Sequence, residues 1–292
     1  MKNFIKAAGY IAMLLAAYFV FQFLFTYLSY FVITLGMVLA GDAPLGALRN
    51  AGAASMPGSL SVWGLAMGLM LSTLAMLVFI HCVKGYRLRW SILRSMSGES
   101  LFVSTMLVFS SLIAANIFVQ WFELEDNLAG QFDGLTHNVA GAITVSLLAP
   151  LLEEVLFRGA IQGYLMRRCK PWVAILCAAS IFGVVHLNPV QTVYAVIIGV
   201  VFGWIYYRTG SLLSVIVGHV LNNSMATAAL LLYGNEDELS FVGEAAPQGA
   251  EMVAEVFVFV VFALLSLYFA LRLNRIQPPV PSPWKDVSGA VG

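Results

Sequence analysis

Charge is what this sequence has least of. Only 10 % of its 292 residues are Asp, Glu, Lys or Arg, against roughly 25 % in soluble globular domains. A water-exposed chain of this length could not cover its surface with so few polar groups, whereas lipid accepts an apolar exterior. Cysteine is scarce as well. Cys82, Cys169 and Cys177 are odd in number, and their spacing fits neither a disulfide framework nor a zinc cluster. They read as small side chains kept reduced, near the inner face or within a span. No internal repeat, soluble domain, phosphate-binding loop or basic patch for nucleic acid stands out, and the His-Glu-x-x-His spacing of zinc hydrolases is absent.

What is abundant is apolar. Hydrophobic residues make up 60 % of the chain, with 20 Phe, 11 Tyr and 6 Trp, and the mean hydropathy is +0.87. Crossing roughly 30 Å of hydrocarbon takes about 20 apolar residues in a helix. Eight runs approach that length, near 10–40, 62–83, 101–122, 138–166, 172–188, 190–208, 211–233 and 252–273. The first is too long for the apolar core of a signal peptide and is expected to stay as a helix. Between the fifth and sixth runs the only interruption is "HLNP", a tight re-entry. The fold expected is an all-α, polytopic membrane helix bundle of about eight transmembrane helices.

Charge placement supports that count. With a cytoplasmic N-terminus, the inside segments hold Lys2, Lys6, Lys84, Arg87, Arg89, Arg94, Arg167, Arg168, Lys170, Arg208, Arg272, Arg275 and Lys285, and the outside loops hold only Arg49. Such asymmetry follows the positive-inside rule. Most acids fall outside, among them Glu123, Glu125, Asp126, Asp133, Glu236, Asp237, Glu238, Glu244 and Glu251. Both termini are therefore expected to be cytoplasmic. Residues 1–276 are expected to form a single transmembrane domain, and the Pro- and Gly-rich stretch 277–292 a disordered cytoplasmic tail.

Three charges interrupt the oily stretch "APLLEEVLFRGAIQG", residues 149–163: Glu153, Glu154 and Arg158. A charge near the bilayer centre costs about 2.5–3.5 kcal/mol on insertion scales, so these are expected to face protein or water. Glu154 and Arg158 are four apart and on one helical face, where they can pair. Glu153 lies about 100° round the helix from Glu154 and outside that pairing. Pro150 removes a backbone donor a turn earlier and is expected to kink the helix. Gly159 and Gly163 make a small-xxx-small face for close helix approach.

Titratable partners are few in the other spans. His186 sits in "FGVVHLN", about 21 Å along the fifth run, and His219 in "GHVLNNS", about 12 Å into the seventh, at 1.5 Å per residue. Asn223 comes four residues after His219 on the same face, and Asn222 points elsewhere. His81 and His137 fall at span ends and are expected to be interfacial. Either buried histidine alone is commonly helix glue, bonding a backbone carbonyl. Two histidines, an asparagine and an acidic pair in consecutive spans suggest a site.

Glu153-Glu154-x-x-x-Arg158-Gly159, Phe182-x-x-x-His186 and His219-x-x-x-Asn223 resemble, in order, the three motifs of the CPBP intramembrane proteases. These include the Rce1-type CAAX prenyl endopeptidases and the bacterial abortive-infection (Abi) proteins. The resemblance covers about residues 138–233, the expected catalytic core. It implies an intramembrane glutamic-type endopeptidase without a cofactor, acting on hydrophobic or lipid-anchored protein or peptide substrates among membrane lipids. Glu153 with His186 would deprotonate the attacking water, His219 and Asn223 would stabilise the oxyanion, and Glu154 and Arg158 would orient the site. Two alternatives stay open. One is a zinc-dependent membrane protease with Glu153, His186 and His219 as ligands. The other is a non-catalytic membrane immunity or binding protein. The absence of long loops suggests a prokaryotic plasma-membrane protein.

Overall fold

A computed structural model of the protein describes residues 2–52, 58–83, 96–126, 133–233 and 250–277. The expected cytoplasmic tail lies, all but its first residue, outside the described residues. Every regular element described is helical: α1 (Lys2–Ala40), α2 (Gly58–Cys82), α3 (Gly98–Gln120), α4 (Asp133–Thr136), α5 (Val139–Met166), α6 (Pro171–Val184), α7 (Pro189–Thr209), α8 (Leu213–Tyr233) and α9 (Ala250–Ile276), with a 3-10 turn at Leu45–Asn50. Seven of these are long and apolar enough to cross a membrane. The protein is an all-α, multi-pass membrane bundle.

One of the eight apolar runs behaves differently. Helix α6 has 14 residues and is only about 21 Å long at 1.5 Å per residue, short of the roughly 30 Å core. The run 172–188 looked longer because its apolar composition continues past the point where the helix stops. Leu187 takes a left-handed φ of 54°, and Asn188 and Pro189 open α7 as N-cap and first residue.

The chain divides into two compact units. The first takes Met1–Leu88, Gly130–Leu156 and Asn223–Asn235. Here α1 lies along α2, and glycines set the closeness of approach. A Cβ at Gly64 would meet the Tyr30 ring at 2.5 Å, and one at Gly68 would overlap the Thr26 backbone. Within α2, Ser72 and Thr73 both donate to the Leu69 carbonyl at 2.8 Å.

The second unit takes Arg89–Ala129, Phe157–Asn222 and Glu236–Gly292. Helices α3 and α9 run antiparallel in it. Glu99 at the start of α3 pairs with Arg272 near the end of α9 at 2.6 Å, and Trp121 just past α3 donates to Glu255 near the start of α9 at 3.2 Å. Between these ends Ser266 donates to Ser110 at 3.0 Å, a polar contact inside an apolar seam. Helices α6 and α7 form a tight hairpin, with Gly183 against Val196 and Gly199 against Ala179. Arg208, buried at the end of α7, donates to the carbonyls of Asn274 and Gln277 at 2.9 and 2.5 Å. It thereby serves the last carbonyls of α9, where a cation also suits the helix dipole.

Candidate active site

Helix α5 carries the three charged residues, and its backbone is not a plain α-helix. Asn138 caps it, accepting from Ala140 and Gly141 at 2.9 and 3.3 Å. Thr144–Leu148 and Glu154–Gln162 then adopt the wider π register, on either side of the α turn Ala149–Glu153. Such π segments are rare and concentrate at functional sites. The helix runs through Pro150 without a break. In the π register Ala149 donates to Thr144 five residues back, so the next donor would serve Val145. Pro150 has no N–H to give. Asn223 supplies it instead: its Nδ2 donates to the Val145 carbonyl at 3.0 Å. One turn on, Ser146 donates to Thr227 at 3.0 Å.

The expected site residues divide between the two units. Glu153, Glu154 and Asn223 belong to the first; Arg158, His186 and His219 belong to the second. Glu154 is fully buried, whereas Glu153 is half-buried.

In the second unit the organiser is Phe182, a residue the motif contains but whose role the spacing does not reveal. The Arg158 guanidinium lies over its ring at 4.3 Å and over Phe202 at 5.2 Å. His186 meets the Phe182 ring edge-on at 4.9 Å and His219 does so at 5.9 Å, while Phe202 lies 5.4 Å from His219. Arg158 is thus buried between two aromatic faces, where cation–π attraction in a desolvated setting reaches about 2 kcal/mol or more. Gly199 lies beside it, where a Cβ would stand 3.4 Å from Arg158 Nη2 and 3.0 Å from the Ala179 Cβ.

His186 sits just beyond α6 with Nδ1 2.7 Å from the Phe182 carbonyl. A carbonyl only accepts, so Nδ1 carries the proton and the neutral ring keeps its lone pair on Nε2. That is the tautomer a general base at Nε2 requires. Around the cluster, Gln162 donates to the Gly203 carbonyl at 2.8 Å, and Tyr194 donates to Asn222 at 2.9 Å. Asn222, one residue from the motif asparagine, therefore has its own partner on α7. Gln162 and Tyr194 escaped sequence reasoning; the one available signal was a polar group in an apolar span. His81 and His137 are exposed at helix ends, as expected of interfacial side chains. Among the described residues, no group of three or more His, Cys, Asp or Glu side chains is placed to hold a metal ion.

Residues 135–225 match the family model described as "Type II CAAX prenyl endopeptidase Rce1-like". Over that segment the chain is similar to that family. The match takes in all six expected site residues. A Bacillus subtilis (strain 168) protein named "Putative membrane peptidase YdiL" is 32 % identical over 82 residues, which is 28 % of this chain and 34 % of that protein. The chain thus matches about a third of that relative's length. No solved structure matches. The Rce1-like segment includes the π-helical stretch, the Phe182 cluster and Asn223; helices α1, α2, α3 and α9 lie outside it.

Proposed function

We propose that this protein is an intramembrane glutamic-type endopeptidase that hydrolyses peptide bonds of membrane-associated or lipid-anchored substrates. The observation that carries the reading is the His186–Phe182 hydrogen bond within an Rce1-like segment. It presents Nε2 as a base in surroundings of low polarity.

In this mechanism Glu153 and His186 together take a proton from the attacking water. Direct attack by water needs no serine or cysteine nucleophile. The resulting oxyanion is met by His219 and by Asn223, and such preorganised donors commonly supply the largest share of rate enhancement. Arg158, fixed between Phe182 and Phe202, and Glu154 orient the charged groups. The water is activated by protein groups alone, without a cofactor. The substrate reaches the site from the lipid, which favours cleavage near a hydrophobic or lipid-modified segment. The short α6 is counted as a crossing beside the seven long helices, so that both termini face the cytoplasm of a prokaryotic cell, in its plasma membrane.

The test uses the purified protein in lipid vesicles with a quenched fluorogenic peptide held in the same vesicles by a lipid anchor. Cleavage should persist after strong chelation and vanish in E153Q and H186A. An E153Q protein that cuts at the normal rate removes the central role. Loss of cleavage on chelation, restored by zinc, favours the metal-dependent alternative.

A further inference from the structure

His186 lies just outside the regular part of α6; Phe182 holds its ring from the N-terminal side, and the residues on its C-terminal side set the backbone that carries it. Helix α6 ends at Val184. His186 and Leu187 donate only three residues back, to Gly183 and Val184, each at 3.1 Å. Three-residue turns of this kind hold the backbone less well than α-helical bonds. Leu187 then adopts a φ of 54°, a conformation that favours glycine and is disfavoured for a side chain with a Cβ. Its side chain is 75 % exposed and cannot anchor the corner. The next residue can. Asn188 is 1 % exposed, and both ends of its amide are used. Oδ1 accepts from the Gln191 N–H at 3.2 Å, and Nδ2 donates to Asp126 Oδ1 at 2.6 Å.

The two bonds differ in what they require. Capping α7 needs an acceptor, which Asp, Ser or Thr would provide as well. The bond to Asp126 needs a donor, which an ionised Asp lacks; Ser and Thr would have to donate and accept through one hydroxyl oxygen, whereas asparagine does each with a separate atom. It ties the α6–α7 corner to the segment after α3, 62 positions earlier. The two non-glycine residues with positive φ among the described residues are Glu123, at 45°, and Leu187. One lies three residues before Asp126 and the other directly before Asn188, so both unfavourable conformations flank this bond. Backbone strain of this kind persists where surrounding structure over-determines it.

We propose that Asn188, braced by Asp126, is a positioning residue that sets where His186 presents Nε2. Resting on the reading of His186 as a base under Proposed function, this assigns a second task to a helix cap. Two residues of chain span at most about 7 Å, so displacement at Asn188 passes directly to His186.

N188D separates the two tasks. It keeps the cap acceptor, removes the donor and sets a carboxylate against Asp126. D126N retains an acceptor for Asn188. The double variant D126N/N188D reverses the bond, with the new amide at position 126 donating to the new carboxylate. In full-length protein in vesicles, kcat for the lipid-anchored peptide should fall about 10- to 100-fold in N188D with KM unchanged, the scale expected of a displacement near 1 Å. D126N should retain activity and the double variant should recover it; thermal unfolding confirms that each variant is folded at the assay temperature, N188D being the least stable of the three because its new carboxylate faces Asp126. A folded N188D protein with full kcat overturns the proposal, as does a folded double variant that stays as slow as N188D.

A second measurement needs no turnover. The rate at which diethyl pyrocarbonate modifies His186, followed by mass spectrometry, should change severalfold in N188D and return in the double variant. If the unmodified protein cleaves nothing, the enzyme reading fails, and this rate alone decides the positioning claim. An unchanged rate in N188D overturns it.

Discussion

Asn223 donates from Nδ2 to the carbonyl of Val145 at 3.0 Å, at the place where the missing N–H of Pro150 leaves α5 one bond short. The motif asparagine therefore has a structural task besides any contact with an oxyanion. Hydrogen bonds between membrane helices average about 0.6 kcal/mol and reach about 1.7 kcal/mol. N223A should cost toward the upper end, because no backbone donor can replace the amide. P150A restores that donor. In a P150A background the cost of N223A, read by reversible unfolding in detergent, should shrink to a few tenths of a kcal/mol. Equal costs in both backgrounds would show that the proline gap is irrelevant to Asn223.

The α6–α7 hairpin depends on Gly183. A Cβ there would fall 2.6 Å from the Thr192 carbonyl oxygen and against a Val196 methyl. Backbone cannot step aside cheaply, so G183A should cost about 1–3 kcal/mol, the usual range for overpacking. Gly36 in α1 has nothing within 4 Å of such a Cβ. G36A should leave stability unchanged or raise it by up to about 1 kcal/mol through helix propensity. Thermal unfolding of the two variants side by side checks the contrast.

Much of this arrangement was legible in the order of residues alone. Long apolar runs gave the helices because lipid imposes a length, and the polar residues kept inside those runs gave the site candidates because each is costly there. The rest depends on facts that periodicity does not carry. Hydrophobic spacing could not show the π register at Glu154–Gln162, since an apolar run looks alike in either register. It could not end α6 at Val184 either, because a left-handed residue such as Leu187 leaves no mark in composition. The Asp126–Asn188 bond joins residues too far apart in sequence for any local pattern. Phe182 was visible only as a motif letter, and its contact with Arg158 and both histidines is a property of packing.

Cys169 allows a test of protonation and topology together. Burial, and then the neighbouring Cys177 thiol, raise its pKa above the ordinary 9.0, and its Sγ lies 3.2 Å from the Leu165 carbonyl. A raised thiol pKa favours the folded state while the thiol is protonated. That contribution is fully present below pH 9.0 and is lost as pH rises through the higher folded value. Maleimide should accordingly modify Cys169 more slowly than the exposed Cys82 at neutral pH, with the gap closing in strong alkali. If both residues face the cytoplasm, an impermeant maleimide added outside intact cells should label neither. Labelling of one alone would overturn the topology.

The two adjacent glutamates should separate experimentally. Glu154 is fully buried, and Glu153 retains some exposure. If Glu154 pairs with Arg158, as their four-residue spacing predicts, removing its charge strips the partner from a buried ion, which typically costs about 3–5 kcal/mol. E154Q should therefore lower thermal stability clearly, and lose activity to the extent that the site loosens. Glu153 is assigned to chemistry, not to balancing charge. E153Q should unfold at nearly the same temperature as the unmodified protein while losing at least about 100-fold in kcat, the lower end for a positioned acid or base. The reverse pattern, with E153Q unstable and E154Q inactive yet stable, would exchange the roles of the two carboxylates.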